Sequence, residues 1–118
     1  MKALSRLALL SALVVACSDD AAAPGGSCAT GGTADAVNVC DSFFAPSASP
    51  IAEGTAVTWN WRGGLQHNVT FEDGQGSSAT KNSGTHERSF SGAGTFRYRC
   101  TIHSTSFDNG MVGSVTVQ

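Results

Sequence analysis

Phe96-Arg97-Tyr98-Arg99-Cys100-Thr101-Ile102-His103 is the stretch that decides how this chain folds. Phe96, Tyr98 and Cys100 fall on one side of a two-residue repeat, with Arg97 and Arg99 on the other. That is the alternation of a strand with one buried face and one wet face. Downstream, Val115 and Val117 alternate with Ser114 and Thr116 in a closing strand. Upstream, Val57, Trp59 and Trp61 alternate with Thr58 and Asn60, and His67, Val69 and Phe71 share a face opposite Asn68 and Thr70. The stretches 36–40 and 85–90 add two shorter strands, while Phe43, Phe44 and Pro46 form a core-and-turn element. Glu53-Gly54, Arg62-Gly63-Gly64 and Ser91-Gly92-Ala93-Gly94 interrupt these runs. Residues 72–84, rich in Gly, Ser and Asn and without periodicity, read as a long surface loop. Short strands separated by turn signals, with no amphipathic helix and no repeat, predict an all-β fold. The expectation is an antiparallel sandwich or barrel of about seven to eight strands.

Composition narrows the classes further. A chain of 118 residues forms one small domain. With 41% hydrophobic and 14% charged residues it is too apolar and too weakly charged for an intrinsically disordered chain. Seven basic residues give no basic face for nucleic acid. At the N-terminus, Lys2 and Arg6 precede an apolar run from Leu7 to Ala16 that is too short to span a bilayer. The run ends in Val14-Val15-Ala16-Cys17, which resembles the lipobox of bacterial lipoprotein signal peptides. The resemblance implies removal of residues 1–16 and lipidation of Cys17; an ordinary secretory signal cleaved elsewhere is the alternative. Either way the chain is exported, and disulfides are permitted. Cleavage leaves five basic against nine acidic residues, a formal charge of −4. From Cys17 to about residue 35 the sequence has no large apolar side chain and reads as a flexible tether, leaving 36–118 as the domain. The expected location is a bacterial envelope membrane, reached through the lipid only, with the domain in the periplasm or at the cell surface.

Four Cys and three His in so short a chain need an explanation. His67 and Cys100 each end an inward-facing stripe, His103 follows Cys100 by three positions, and Met111 lies further on. One thiolate, two imidazoles and one thioether form the ligand set of a blue-copper electron-transfer site. There is no Cys-x-x-Cys-His for haem and no Cys-x-x-Cys for structural zinc. A Cys/His nucleophile pair is the other chemical reading.

Residues 37–118 resemble a cupredoxin of the plastocyanin type. The residues carrying the likeness are Phe44-x-Pro46, Gly54-Thr55-x-Val57-Thr58-Trp59, His67-Asn68-Val69, Ala93-Gly94-Thr95-Phe96-x-Tyr98-x-Cys100-x-x-His103 and Gly110-Met111-Val112-Gly113-x-Val115-x-Val117. The resemblance implies a Greek-key sandwich holding one type 1 copper ion. His67, Cys100 and His103 would be its equatorial ligands and Met111 its axial one. It implies that Asn68, facing away from His67, ties the two ligand-bearing segments together by hydrogen bonds. It also implies one-electron transfer rather than enzymatic catalysis, with a redox partner such as a cytochrome or a copper oxidoreductase and a monomeric carrier. The alternative function is copper storage or delivery by a lipoprotein without electron transfer.

One departure is that seven residues, from Ser104 to Gly110, separate His103 from Met111. The family spacing is shorter, so residues 107–110 are expected to bulge as a surface loop, with Phe107 and Val112 near a docking patch. His86, in a polar run, reads as solvated surface. Cys28 and Cys40 lie outside the copper pattern, and in an exported protein they are expected to form a disulfide.

Overall fold

The computed structural model describes residues 28–118. The signal segment 1–16, the lipidation site Cys17 and the tether up to residue 27 lie outside the described residues. Among the described residues the regular structure is all strand, in eight pieces: β1 (Ala36–Cys40), β2 (Phe43–Ala45), β3 (Ala48–Ile51), β4 (Ala56–Trp61), β5 (Thr70–Phe71), β6 (Thr85–Ser89), β7 (Gly94–Ser106) and β8 (Asn109–Val117). Two four-stranded sheets, ordered β2-β1-β4-β6 and β3-β8-β7-β5, make the sandwich.

The sheets are mixed rather than antiparallel throughout. β1 runs parallel to β4, and β3 runs parallel to β8. Sequence periodicity specifies which face a residue occupies, but it carries no information on strand direction. Direction follows from the connections: the chain turns back from β1 as β2, crosses to the second sheet as β3 and returns as β4. A crossover of that length permits the parallel pairing that a hairpin forbids.

The core forms where the alternating faces meet. Val57, Trp59 and Trp61 point inward from β4, and Tyr98 and Cys100 from β7. Trp59 sits at the centre, edge-on to Phe71 at 5.5 Å and to Tyr98 at 5.3 Å, while Phe44 meets Tyr98 at 4.8 Å. Such edge-to-face pairs stabilise beyond the area they bury. Gly113 is required here, because a Cβ on it would stand 2.4 Å from the Tyr98 ring. At one end of the core the Arg88 guanidinium covers Phe71, Phe90 and Phe96 at 4.2, 4.7 and 5.1 Å and pairs with Asp73 at 2.6 Å.

β1 is buried on both faces, which simple alternation does not predict. Val37 and Val39 enter the core, while Asn38 and Cys40 are covered from outside by the segment that begins at Cys28. The Asn38 side-chain amide donates to the carbonyls of Cys28 and Thr30, both at 3.1 Å, and Cys28 is disulfide-bonded to Cys40. Thr33 also bridges to Ala36. The segment 28–35, expected as tether, is therefore part of the packed structure, because the disulfide draws it onto β1.

Residues 72–84 do not loop freely over the surface either. His67 and Lys81 exchange backbone hydrogen bonds at 2.9 and 3.0 Å, and Ser78 and Ser77 hydroxyls accept from the amides of Val69 and Phe71 at 2.8 and 3.0 Å. Serine side chains here substitute for strand carbonyls, so the segment completes an edge without showing strand periodicity.

Candidate metal centre

The final hairpin sets the geometry of the site. β7 and β8 pair in register from Gly94↔Val117 to Arg99↔Val112, then shift before resuming at Ser104↔Gly110 and Ser106↔Asn109. Between Arg99 and Ser104 lie Cys100, Thr101, Ile102 and His103; opposite them, between Gly110 and Val112, stands Met111 alone. A bulge re-aims side chains and increases local twist. This one, with four residues against one, gathers three of the expected copper-binding side chains into a single irregularity. The Ser104 hydroxyl donates to the Cys100 carbonyl at 2.6 Å and closes it. Gly110 has φ +98°, and a Cβ there would stand 2.6 Å from the His103 carbonyl, so both conformation and space demand glycine.

The residues expected to bulge between His103 and Met111 are instead the paired end of this hairpin, and His103 lies within β7. The larger irregularity falls before Ser104, where that residue and Gly110 re-enter the ladder; a smaller register shift follows between Ser104 and Ser106. Phe107 at the tip is half-buried beneath the guanidinium groups of Arg99 and Arg97, at 5.1 and 5.8 Å, and is no free apolar surface. The large apolar side chains that are exposed are Leu65 at 53%, Ile102 at 52% and Phe43 at 42%.

His67 is fully buried, held by its pairing with Lys81 and by the Trp61 indole, which donates to the His67 carbonyl at 3.3 Å. Its Nδ1 lies 3.1 Å from His103 Nδ1 and 3.8 Å from Cys100 Sγ, and Cys100 Sγ lies 3.5 Å from His103 Nδ1. The point equidistant from these three donor atoms is about 2.0 Å from each, close to the length of a first-row metal bond to imidazole or thiolate. Two imidazoles and one soft sulfur in a trigonal array suit copper in both common oxidation states. Cys100 is buried, and His103 is the half-buried member of the three. Met111 is buried in the same core cluster.

Asn68 uses all of its polar capacity. Its amide nitrogen donates to the hydroxyls of Thr101 and Thr80 at 2.8 and 3.1 Å; its oxygen accepts from the Thr101 amide at 3.0 Å and the Thr70 hydroxyl at 2.9 Å. The residue after His67 is thereby tied to the residue after Cys100. His86 stands apart from the cluster, with Nε2 against the Gly76 carbonyl at 2.7 Å.

Asp41 is a site residue that sequence reasoning missed. Its Oδ1 lies 2.8 Å from Nε2 of His67, and its two oxygens accept from the amides of Gly64 and Leu65 at 3.1 and 3.0 Å. The hydrogen bond with His67, reinforced by those two amides, pulls the Asp41 carboxyl down to about 2. The only hint in the sequence was an acidic residue beside a cysteine, a common turn composition.

The plastocyanin/azurin family model of copper-binding proteins matches residues 36–118. Plastocyanin from Scenedesmus fuscus is 36% identical over 87 residues, which cover 64% of this chain and 86% of that protein. Among solved structures, a purple cupredoxin from Nitrosopumilus maritimus superposes with a TM-score of 0.59 at 26% identity, covering 70% of this chain and 98% of the other. An oxidized amicyanin mutant gives a TM-score of 0.60 at 25% identity, covering 72% of this chain and 82% of its own. A family match over the whole of the sandwich, together with a copper-compatible donor set made of His67 and two residues of the bulged hairpin, makes this chain a member of the plastocyanin/azurin family of copper-binding proteins.

Proposed function

We propose that the protein is a type 1 copper electron carrier of the bacterial cell envelope, with His67, Cys100 and His103 as equatorial ligands and Met111 as the axial one. The observation that carries this reading is the preformed donor triangle of two Nδ1 atoms and one Sγ, each edge between 3.1 and 3.8 Å. Copper bound there supplies a one-electron couple between its cupric and cuprous states. The chain's own part is to hold the donors still. His67 is locked between the Lys81 bridge and the Trp61 indole, Cys100 and His103 by the Ser104 closure, and the two halves by Asn68. A site held from so many directions changes little when one electron arrives, which favours transfer over storage or delivery. The paired hairpin end supports the same conclusion, since it leaves no slack loop for ion exchange.

Leu65 and Ile102 lie two and one positions before the ligand histidines and are the exposed apolar side chains best placed for a redox partner. Such encounters are small and weak. The lipobox-like residues 14–17 support anchoring through Cys17 alone, with the domain outside the cytoplasm.

The test is titration with cupric ion of a fragment beginning at Ser18, followed by cycles of reduction and reoxidation against a copper chelator. An intense blue thiolate-to-copper absorption is expected, with copper retained through the cycles and a Cys100→Ser variant colourless. Absence of the blue band overturns the copper assignment; a blue protein that yields its copper to the chelator on each cycle overturns the carrier role in favour of delivery.

A further inference from the structure

A metal-bound imidazole has one nitrogen for the metal and one for the protein, and the second is where a protein controls the first. At His67 the division is set by geometry. Nδ1 faces Cys100 and His103, so Nε2 is left to carry the ring proton, and it meets the Asp41 carboxylate at 2.8 Å.

The carboxylate is built in rather than incidental. Asp41 and Ser42 form the two-residue turn between β1 and β2, with Cys40 paired to Phe43 across it and Ser42 at φ 81°. Cys40, immediately before the acid, is buried and disulfide-bonded to Cys28, so the backbone leading to the turn is covalently pinned. From the other side, the Gly64 and Leu65 amides donate to its two oxygens. Gly63 makes room: a Cβ there would lie 2.2 Å from Asp41 Oδ1. The carboxylate is fixed by two amides, a turn and a disulfide, with one oxygen aimed at a fully buried imidazole. Its side chain is still 42% exposed, so water solvates the charge without displacing the bond.

We propose that Asp41 is the positioning residue of the copper site: it fixes the ring proton of His67 on Nε2, sets the ring plane so that Nδ1 faces the metal, and lowers the reduction potential with its negative charge. The charge acts in one direction. A nearby anion stabilises the doubly charged cupric ion more than the singly charged cuprous ion. Removing it weakens cupric binding more than cuprous binding. The inference rests on the copper reading above for its redox half, but not for its proton-placement half.

Two variants of the full chain separate the contributions. Asp41→Asn keeps an oxygen acceptor of the same shape and removes the charge; Asp41→Ala removes both. In metal-free wild-type protein, nitrogen-15 NMR is expected to find the His67 ring proton on Nε2 in slow exchange. That signal should persist in Asp41→Asn and be lost in Asp41→Ala. With copper, Asp41→Ala is expected to lose about 10–100-fold in cupric affinity. In both variants the potential should rise, by about 59 mV for each tenfold excess of cupric over cuprous loss. An unchanged Nε2 proton in Asp41→Ala, or cupric affinity and potential unchanged in both variants, overturns the proposal. A wild-type protein that binds no copper yet shows the protected Nε2 proton would sink the copper reading while leaving the Asp41–His67 pairing in place.

Discussion

Replacing Asn68 by alanine should show how much of the domain's stability passes through the tie between its two ligand-bearing segments. Four hydrogen bonds disappear, two donated to the Thr101 and Thr80 hydroxyls and two accepted from the Thr101 amide and the Thr70 hydroxyl. At about 0.5–1.5 kcal/mol net for each bond, the upper bound is about 6 kcal/mol. Thr80 and Thr101 are exposed, and their freed groups can turn to water, which discounts the loss. The expected cost is therefore about 2–3 kcal/mol, or a fall of about 10–20 °C in midpoint for a domain of this size. Urea denaturation of metal-free wild type and Asn68→Ala, read by tryptophan fluorescence, measures it. Thr101→Ala keeps its backbone amide bond to Asn68 and should lose less. The double variant should lose less than the sum of the two single losses, because both remove the same link. A cost for Asn68→Ala below about 0.5 kcal/mol, or strict additivity with Thr101→Ala, would refute the argument that this residue couples the segments.

Three further outcomes are expected. Replacing Cys28 and Cys40 together by serine should cost about 3 kcal/mol in denaturation, from the loop-closure entropy of a 12-residue separation. Gly110→Ala should cost about 1–3 kcal/mol through its strained φ and also shift or abolish the blue absorption, since the new Cβ pushes on the His103 carbonyl; an unaltered spectrum would count against the tight bulge. Hydrogen bonding from the Arg88 guanidinium holds the Asp73 carboxyl below its ordinary value of 3.8, so its contribution to stability is complete above that value and is lost as the pH falls further. Thermal midpoints measured down through that range should fall more steeply for wild type than for Asp73→Asn.

What could be read from the residues is what repeats or what has distinctive chemistry. The strand of Phe96, Tyr98 and Cys100 and that of Val57, Trp59 and Trp61 were legible because period two leaves a mark whenever one face is dry. His67, Cys100, His103 and Met111 were legible because few sites use that combination of donors. Strand direction was not legible, since face alternation is identical in parallel and antiparallel pairs. Asp41 lies 26 positions from His67 in a tight turn, where aspartate is ordinary, so nothing local distinguished it. Residues 72–84 concealed their role because serine hydroxyls complete the ladder at Val69 and Phe71 without periodicity. The hairpin misled for a related reason: a count of residues between His103 and Met111 measures chain length, whereas the ladder decides distance.

Ladder position, rather than chain length, also decides what the tip of the hairpin can touch. The Ser104↔Gly110 pair closes the bulge, and beyond it the ladder shifts once more before Ser106 meets Asn109. Residues 105–109 therefore meet the ligand-bearing strand through side chains, with Phe107 under Arg97 and Arg99 and Asp108 paired to Arg97. Any exchange at this tip alters what the hairpin presents to the outside, and it reaches the donor triangle by way of Arg99, the neighbour of Cys100. The hairpin is thus a clasp of backbone bonds whose outer end is held in place by two arginines of the ligand strand.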